Sequence, residues 1–401
     1  MNKSTFFSGQ PIFAQLLKFI PKDSIIRIVR DSKADHYSKR FNTYEHLVTM
    51  LYSIFNNCNS LREVTTGMLA SEQRLAHLGV RYHPRRSTIA DANIRRQAEV
   101  FEKIYFGIFK KYAPFLSDSR TKSRASKLYI LDSTTIRLFH EVLRTGGPNP
   151  ANGKRKGGIK VHTMIRSDQD VPCMIRFSSG VAHDSKYLKE IRLPKGSIIV
   201  FDKGYRGYDT FNKLTSDGIT WVTKRTNYFA LTFGSNITNP GNDERVITDR
   251  QVIIGHKDLK HRARARLIQY CDPDTGELHE FFTNNLKMSG LTIAALYRKR
   301  WQIELLFKRM KQNYPLKYFL GDSENAIKIQ IWCSLIADLL LKIVKRAAAA
   351  RWSFSNLAAM VRLHLMTYID LFGFLKSPEK SLLKLFSKPV IKNNHQLSFI
   401  T

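Results

Sequence analysis

The middle of the chain carries a series of apolar segments bounded by turns, and this series constrains the fold more than any other feature. Its strand-like segments cover 127–139, 158–167, 171–180, 197–205 and 219–225. A short helical segment precedes the fourth of them, and a second one, 207–218, precedes the fifth. Three consecutive strands followed by strands that alternate with helices predict a mixed α/β sheet, with parallel pairing in its second half.

The charge of the chain predicts the kind of partner it binds. It has 65 Lys and Arg against 33 Asp and Glu, a formal net charge of +32 at pH 7. Such an excess favours a polyanion, most often nucleic acid, because each neutralised phosphate releases condensed counterions. The alternatives are a basic protein without such a partner and, less favoured, a membrane-surface protein. The 43% of hydrophobic residues excludes a disordered chain.

Other sequence features indicate the compartment. The four cysteines are far apart and form neither a metal-binding nor a disulfide pattern, which fits a reducing cytosol. The N-terminal segment is interrupted by Gln and Pro and is a poor signal peptide. The most apolar run, 329–344, is short for a membrane span and contains Asp338, so it predicts a buried helix. We therefore expect a cytoplasmic protein.

The chain is expected to divide into several domains around the sheet. Residues 1–120 have the apolar spacing of helices and predict an N-terminal helical DNA-binding domain. Segments 121–226 and 291–350 are expected to form one α/β core, and 227–290 a β-rich insertion into it. Residues 351–401 are expected to form C-terminal helices with a basic tail.

Basic residues within the N-terminal region are candidates for DNA contacts. Two arginine pairs, Arg85 with Arg86 and Arg95 with Arg96, lie at a junction between helical segments. Short helices joined by polar turns suit a small DNA-binding domain. The alternative is a plain helical bundle with a solvated charged face. Because Arg serves phosphates and bases alike, the sequence does not assign which of these residues read bases.

Three acids stand at positions where chemistry is possible. Asp132 ends the apolar run LYIL, Asp202 ends SIIVF, and Glu304 lies in a strongly basic helical segment. A carboxylate at the end of a buried strand needs a partner, which is a backbone cap, a cation or a metal ion. Taken singly, each acid is more often a turn or capping residue. Taken together, the three could converge on hard divalent cations, which favour oxygen ligands.

The basic segment YRKRWQIELLFKRMK (297–311) has an ordered arrangement of its own. Drawn as a single helix with about 100° per residue, it places the following residues on one stripe about 60° wide: Tyr297, Arg300, Glu304 and Lys311. An ion pair between Glu304 and Arg300 would explain the acid more simply. That pair would not explain the two aspartates or the net charge.

These segments resemble a known family. The basic helix matches the Y-x2-R-x3-E-x6-K signature of bacterial DDE transposases of the insertion-sequence-four family. LDSTTIRL resembles the strand of the family's first aspartate, and VFDKGYRG resembles the strand of its second. IKVH, VAHDSKYL and FFTNN are similar to family segments between and after those aspartates. The resemblance covers about 125 to 345.

The resemblance implies a fold and an activity. The fold class is α/β, with an RNase H-like catalytic core, a β-rich insertion, an N-terminal helical domain and C-terminal helices. The activity is binding of terminal inverted repeats, followed by metal-dependent DNA cleavage and strand transfer in cut-and-paste transposition. The alternatives are an RNase H-like nuclease without strand transfer and a catalytically inactive DNA-binding regulator. We expect double-stranded DNA as the partner, a homodimer in the DNA complex and a nucleoid-associated bacterial protein.

The resemblance also implies roles for residues. Asp132, Asp202 and Glu304 would be catalytic ligands of two Mg²⁺ ions, with Mn²⁺ as a substitute. Further positions would contact DNA phosphates; they are Tyr297, Arg300, Lys311, Lys160 and His162. Lys160, His162 and His183 are the weaker candidates, because a lone His on such a strand is more often structural.

Overall fold

The structure is a computed structural model that describes residues 9–117, 127–137, 158–180, 184–205, 207–226, 230–237, 243–255, 262–349 and 351–386 of the 401-residue chain. The helices are α1 (Ile12–Leu17), α2 (Lys22–Ser32), α3 (Thr43–Phe55), α4 (Leu61–Leu69), α5 (Glu72–Leu75), α6 (Arg86–Arg95), α7 (Ala98–Leu116), α8 (Ser185–Leu188), α9 (Tyr208–Ser216), α10 (Gly290–Arg298), α11 (Trp301–Asn313), α12 (Glu324–Ala347), α13 (Phe354–Leu363), α14 (Leu371–Lys376) and α15 (Pro378–Phe386). The strands are β1 (Leu128–Arg137), β2 (Gly158–Arg166), β3 (Val171–Ser179), β4 (Ile198–Phe201), β5 (Thr220–Lys224), β6 (Leu231–Asn236), β7 (Val246–Gly255), β8 (Arg262–Cys271) and β9 (Leu278–Thr283).

The chain forms two compact units. The first combines Met1–Ala92 with Ile336–Thr401, and the second is Asn93–Leu335. In the first unit, the N-terminal and C-terminal segments are joined through Gln15, which is fully buried. Its Nε2 donates to the carbonyl of Ile369 at 2.6 Å, and the N–H of Leu371 donates to its Oε1 at 2.9 Å. The buried amide is therefore satisfied on both sides by the C-terminal segment.

The second unit is built on a nine-stranded mixed sheet with the order β3-β2-β1-β4-β5-β9-β8-β7-β6. β1, β2 and β3 form an antiparallel meander, whereas β4 pairs parallel with both β1 and β5. The predicted mixed sheet with parallel pairing after the meander is confirmed. The β-rich segment 227–290 contributes β6 to β9, and these strands extend the same sheet through the antiparallel pair of β5 and β9.

Helices cover both faces of this sheet. On one face, α9 packs on β5 and β8, and Phe211 stacks on the fully buried Trp221 with ring centroids 4.5 Å apart. On the other face, Ile293 of α10 packs among Val200 and Val222 of the parallel strands. The next helix, α11, contacts β1. Burial of side chains on both faces explains why β4, the strand with a parallel neighbour on each side, is apolar throughout.

The prediction of a single helix over 297–311 is wrong. α10 ends at Arg298, and α11 begins at Trp301. Between them the backbone tightens into i→i+3 hydrogen bonds, from Arg300 N–H to the carbonyl of Tyr297 and from Ile303 N–H to that of Arg300. Lys299 and Arg300 keep right-handed helical backbone angles, so the break between α10 and α11 is one tight turn rather than a loop.

The apolar run 329–344 lies within α12, and its side chains are almost all buried, as predicted for a buried helix. In the parts of the chain that the structure describes, no helix combines the length and the apolar character needed to cross a bilayer.

Candidate active site

The two aspartates lie side by side where the parallel pairing of β1 with β4 ends, Asp202 directly after β4 and Asp132 within β1 rather than at its end. The pairing of β1 with β4 aligns Leu131 with Phe201, so Asp132 and Asp202 follow directly at the same edge of the sheet. β1 continues to Arg137, whereas β4 ends at Phe201. The edge where parallel strands end is a common position for binding sites in open α/β sheets. The fold therefore brings together two acids that are 70 residues apart in the sequence.

Arg300 connects the first aspartate with the glutamate. Its Nη1 donates to Asp132 Oδ2 at 2.8 Å, and its Nη2 donates to Glu304 Oε1 at 2.5 Å. The guanidinium carbon lies 5.7 Å from the centre of the Tyr297 ring, in a cation–π contact. Tyr297 in turn packs on Phe281 of β9, with ring centroids 4.9 Å apart. Arg300, in the turn between α10 and α11, thus contacts Asp132 of β1 and Glu304 of α11.

The electrostatics of the site show that the three acids are close enough to interact. The pKa of Asp132 is raised from 3.8 to about 6, mainly by burial and also by the charges of Asp202 and Glu304. The N–H of Ser133 and the charge of Arg300 oppose this shift. Because like charges nearby disfavour ionisation, the site holds more negative charge than Arg300 neutralises.

The same charges act on the neighbouring cation and phenol. Burial would lower the pKa of Arg300, but Tyr297, Asp132 and Glu304 raise it above its usual value. The pKa of Tyr297 is raised to about 12, mainly by burial and also by Asp202. At neutral pH Arg300 is therefore charged and Tyr297 keeps its proton. The Nε of Arg300 is buried and has no hydrogen-bond partner within the described residues.

The acids have the chemistry of metal ligands, but in the structure an arginine side chain already pairs with two of them. Within the ranges that the structure describes, no group of three or more His, Cys, Asp or Glu side chains is placed to hold a metal ion. The guanidinium of Arg300 contacts oxygens of both Asp132 and Glu304. The positive charge between the carboxylates of β1 and α11 is thus supplied by the Arg300 side chain.

The remaining candidates for DNA contacts, Lys311 and the two residues on β2, do not take part in the pairing of Arg300 with Asp132 and Glu304. Lys311 is exposed, seven residues beyond Glu304 on α11. His162 is opposite Ser133 in the β1–β2 pair, and Lys160 is opposite Thr135. Side chains alternate between the faces of a strand, so both β2 residues lie on the face of the sheet opposite Asp132 and Arg300. His183, the other histidine candidate, lies outside the described residues.

The β2 residues meet an acid that sequence reasoning missed, Asp184. Lys160 Nζ donates to Asp184 Oδ1 at 3.2 Å, and His162 Nδ1 lies 3.5 Å from the same oxygen. His162 is fully buried, and burial lowers its pKa to about 4, so its ring is neutral at neutral pH. The segment VAHDSKYL contains Asp184, but a residue before a short helix gave no signal that it would reach β1 and β2.

The N-terminal arginine candidates divide between the two units. Arg85 and Arg86 belong to the first unit, and both are exposed. Arg95 and Arg96 belong to the second unit, where Arg95 is exposed and Arg96 is 7% exposed. The carbonyl of Arg96 accepts a hydrogen bond from Asn325. Three of the four guanidinium groups are therefore on the surface.

Comparison with known proteins identifies the family of the chain. A family model described as a transposase DDE domain matches residues 123–340, which is more than half of the chain. The chain belongs to the DDE transposase family. The match contains all three acids, the arginine between them and every strand of the sheet. A second model, described as a domain of unknown function (DUF4372), matches residues 8–81.

Individual relatives are also transposases by name. A Sinorhizobium fredii protein named as transposase y4zB is 30% identical over 269 residues, 66% of this chain and 72% of the relative. A transposase for the insertion sequence element IS4SA of Synechocystis sp. is 26% identical over 64% of this chain and 71% of its own length. A Geobacillus stearothermophilus protein, named for the element IS5377, is 24% identical over 54% of this chain and 56% of its own length.

This DDE transposase is thus an insertion-sequence transposase, an enzyme that acts on DNA. Its family generally uses a divalent metal ion. Among solved structures, a cryo-EM structure of the piggyBac transposase synaptic complex with hairpin DNA matches with a TM-score of 0.43 and 11% identity. That match covers 96% of this chain and 83% of the other, and it is too weak to bear on the fold or the function.

Proposed function

We propose that this transposase cleaves DNA at the ends of its element and joins them to target DNA, with Asp132, Asp202 and Glu304 as the catalytic acids. The observation that carries the proposal is that Arg300 pairs with both Asp132 and Glu304, and that the charge of Asp202 acts on Asp132 from the neighbouring strand. They come from β1, from the end of β4 and from α11, and no two of them are neighbours in sequence. A structural ion pair would need one of these carboxylates rather than three.

The three carboxylates fit a divalent cation. They supply only oxygen ligands, which Mg²⁺ prefers, and Mn²⁺ would substitute. Two such ions, when bound, stabilise the attacking and leaving oxygens of an in-line phosphoryl displacement. The raised pKa of Asp132 supports the fit, because a site in which carboxylates repel one another gains from an added positive charge.

Arg300 has to exchange partners in this proposal. Its guanidinium pairs with Asp132 and Glu304 in the structure, and a DNA phosphate offers it the same bidentate geometry. Movement of Arg300 to a phosphate frees one oxygen on each of the two acids. Tyr297, which stays protonated, would donate a hydrogen bond to the same strand, and the exposed Lys311 would contact a phosphate farther along it.

The finer family and architecture are part of the proposal. The Tyr297, Arg300, Glu304 and Lys311 signature supports the insertion-sequence-four family, and the order of the central strands supports an RNase H-like core. In this reading 227–290 remains the β-rich insertion, although its strands belong to the same sheet. The exposed Arg85, Arg86 and Arg95 would contact DNA beside the N-terminal helical domain. We further propose a homodimer on two element ends and action at the bacterial nucleoid.

The test is a strand-transfer assay with Mg²⁺ and duplexes that carry the element's terminal repeats. Asp202→Ala is expected to abolish both end cleavage and joining. Asp209→Ala is the matched control, because Asp209 is an exposed acid seven residues later, at the start of α9. Its activity should equal that of the wild type. Cleavage without joining by the wild type would instead assign a nuclease, and activity in Asp202→Ala would refute the acid triad.

A further inference from the structure

A fourth carboxylate, that of Asp184, contacts both segments that carry the catalytic aspartates. On the β1 side, Ser133, the residue after Asp132, donates its hydroxyl to Asp184 Oδ1 at 3.3 Å. On the β4 side, a Cβ built on Gly204 would lie 3.1 Å from Asp184 Oδ2 and 3.8 Å from Asp202 Oδ2. Asp184 thus lies against the turn that begins with Asp202.

Asp184 reaches these segments from the face of the sheet opposite α11. Asp132 points to the α11 face, where it pairs with Arg300, and Ser133 points to the opposite face because successive strand side chains alternate. Glu304 and Asp184 therefore approach the end of β1 from opposite faces of the sheet. Asp184 does not share the pair that Arg300 makes with Asp132 and Glu304.

The surroundings of Asp184 hold its carboxylate in one place. Lys160 pairs with it at 3.2 Å, and their side chains are only 16% and 20% exposed. His162 stacks on Tyr187, the third residue after Asp184, with ring centroids 3.8 Å apart. The two nitrogens of the same ring lie 3.0 Å from the Tyr205 hydroxyl and 2.9 Å from that of Ser178.

Tyr205 ties this cluster to the turn after β4. It is fully buried, and its N–H donates to the carbonyl of Asp202 at 3.0 Å. The turn is thus held by its own backbone between Asp202 and Tyr205 and by the His162 ring at the Tyr205 hydroxyl, and Asp184 leaves little room for a side chain at Gly204. The Gly204 N–H also lies 3.4 Å from Asp202 Oδ2, so the turn that packs on this cluster contacts the Asp202 carboxylate.

We propose that Asp184 is a positioning residue, which fixes Asp202 relative to Asp132 by holding Ser133 and the Gly204 turn from the face opposite Glu304. This inference rests on the proposed function of the two aspartates. It assigns no contact with DNA or metal to Asp184. It also gives Lys160 and His162 a role that their burial permits, which is to orient the Asp184 carboxylate and the turn.

Gly204 makes the inference sharply testable. The residue does not have a left-handed backbone, so alanine meets no conformational strain there, and its methyl group would instead press on Asp184 Oδ2 at 3.1 Å. Gly204→Ala should therefore act through Asp184. In an Asp184→Ala background the space is open, and Gly204→Ala should cause almost no additional loss. Two independent packing defects would instead multiply their effects.

The experiment compares Asp184→Ala, Gly204→Ala and the double variant with the wild type, at saturating element-end DNA. The measured quantities are the single-turnover cleavage rate as a function of Mg²⁺ concentration and the hydrogen exchange of the peptide that covers 198–207. We expect Asp184→Ala to raise the Mg²⁺ concentration for half-maximal rate about tenfold, the usual effect of losing a residue that orients a ligand. Exchange in the 198–207 peptide should rise, whereas exchange in β8 should not change.

Controls separate this inference from the proposed function and from misfolding. Glu190→Ala removes an exposed acid six residues later and should leave the Mg²⁺ dependence unchanged. Asp184→Asn keeps the shape and an acceptor oxygen, and should raise the half-maximal Mg²⁺ concentration less than Asp184→Ala; it carries the test if the alanine variant does not fold. If folded Asp184 variants keep the wild-type Mg²⁺ dependence, or the Gly204 and Asp184 effects multiply, the positioning role is refuted. An active Asp202→Ala refutes the proposed function itself.

Discussion

The buried carboxylate of Asp132, one of the proposed catalytic acids, should destabilise the metal-free fold at neutral pH, and Asp132→Asn should reveal by how much. Asp132 is only 15% exposed, and its pKa rises from 3.8 to about 6, chiefly because of burial. A folded-state pKa above the unfolded one means that the proton is bound more tightly in the fold. The stabilisation from this proton is complete below about pH 4 and is lost as the pH rises through about 6.

The magnitude follows from the size of the shift. About two pKa units, at 1.36 kcal/mol each, amount to roughly 3 kcal/mol over the whole window, of which about 1.5 kcal/mol falls between pH 5 and pH 8. Asparagine has nearly the same shape and does not ionise. The free energy of unfolding of Asp132→Asn, relative to that of the wild type, should therefore increase by about 1.5 kcal/mol from pH 5 to pH 8. The pair with Arg300 does not cancel this change, because its effect is already contained in the pKa.

The assay is urea denaturation of both proteins in EDTA, at half-unit steps from pH 5 to pH 8. Asp209→Asn is the control, because Asp209 is exposed, and the difference between this variant and the wild type should be constant with pH. A constant difference for Asp132→Asn as well would refute the electrostatic description of the site. A difference that shrinks as the pH rises would show that the site stabilises the ionised carboxylate.

Two further predictions concern arginines. Arg266 is fully buried and donates hydrogen bonds to Asp249 and to the carbonyls of Asn285 and Met288. In urea denaturation, Arg266→Ala should therefore lower the free energy of unfolding by about 3 to 5 kcal/mol. The same substitution at the exposed Arg264 should change it by less than about 0.5 kcal/mol, and equal effects of the two substitutions would contradict this prediction. Arg300→Gln should strengthen Mn²⁺ binding by the DNA-free protein roughly fivefold, because an ion pair worth about 1 kcal/mol no longer competes with the metal ion for the acids. The measurement is an electron paramagnetic resonance titration, and weaker Mn²⁺ binding by the variant would refute this competition.

Much of the central sheet could be predicted from the sequence, because each strand there is a short apolar run bounded by turn residues. The place of Asp202 after β4 could be predicted for the same reason, whereas Asp132 follows the apolar first half of β1 but does not end the strand. The pairing of β5 with β9 could not, because it joins segments that are more than 50 residues apart in the chain. Strand pairing at that distance depends on packing that a local pattern does not contain.

The sequence also could not predict which face of the sheet the β2 side chains occupy. Lys160 and His162 resemble members of a phosphate-binding surface when only their charge is considered. Their face follows from the register of β1 and β2, which aligns His162 with Ser133 rather than with Asp132. A change of one residue in that register would exchange the two faces, and the alternation of side chains along either strand alone does not fix the register. Asp184 could not be predicted for the same reason, since its role depends on this register.

The continuity of the sheet has a consequence for how far the enzyme can reach. From β4 to the outermost β6 there are five strand intervals, along β5, β9, β8 and β7. At about 4.8 Å each, they span roughly 24 Å, which is about seven base-pair steps of duplex DNA. Every interval is a hydrogen-bonded ladder, so the outer strands cannot swing independently of Asp202. DNA bound at the outer edge of the sheet would therefore lie at a fixed distance from the proposed catalytic aspartate Asp202.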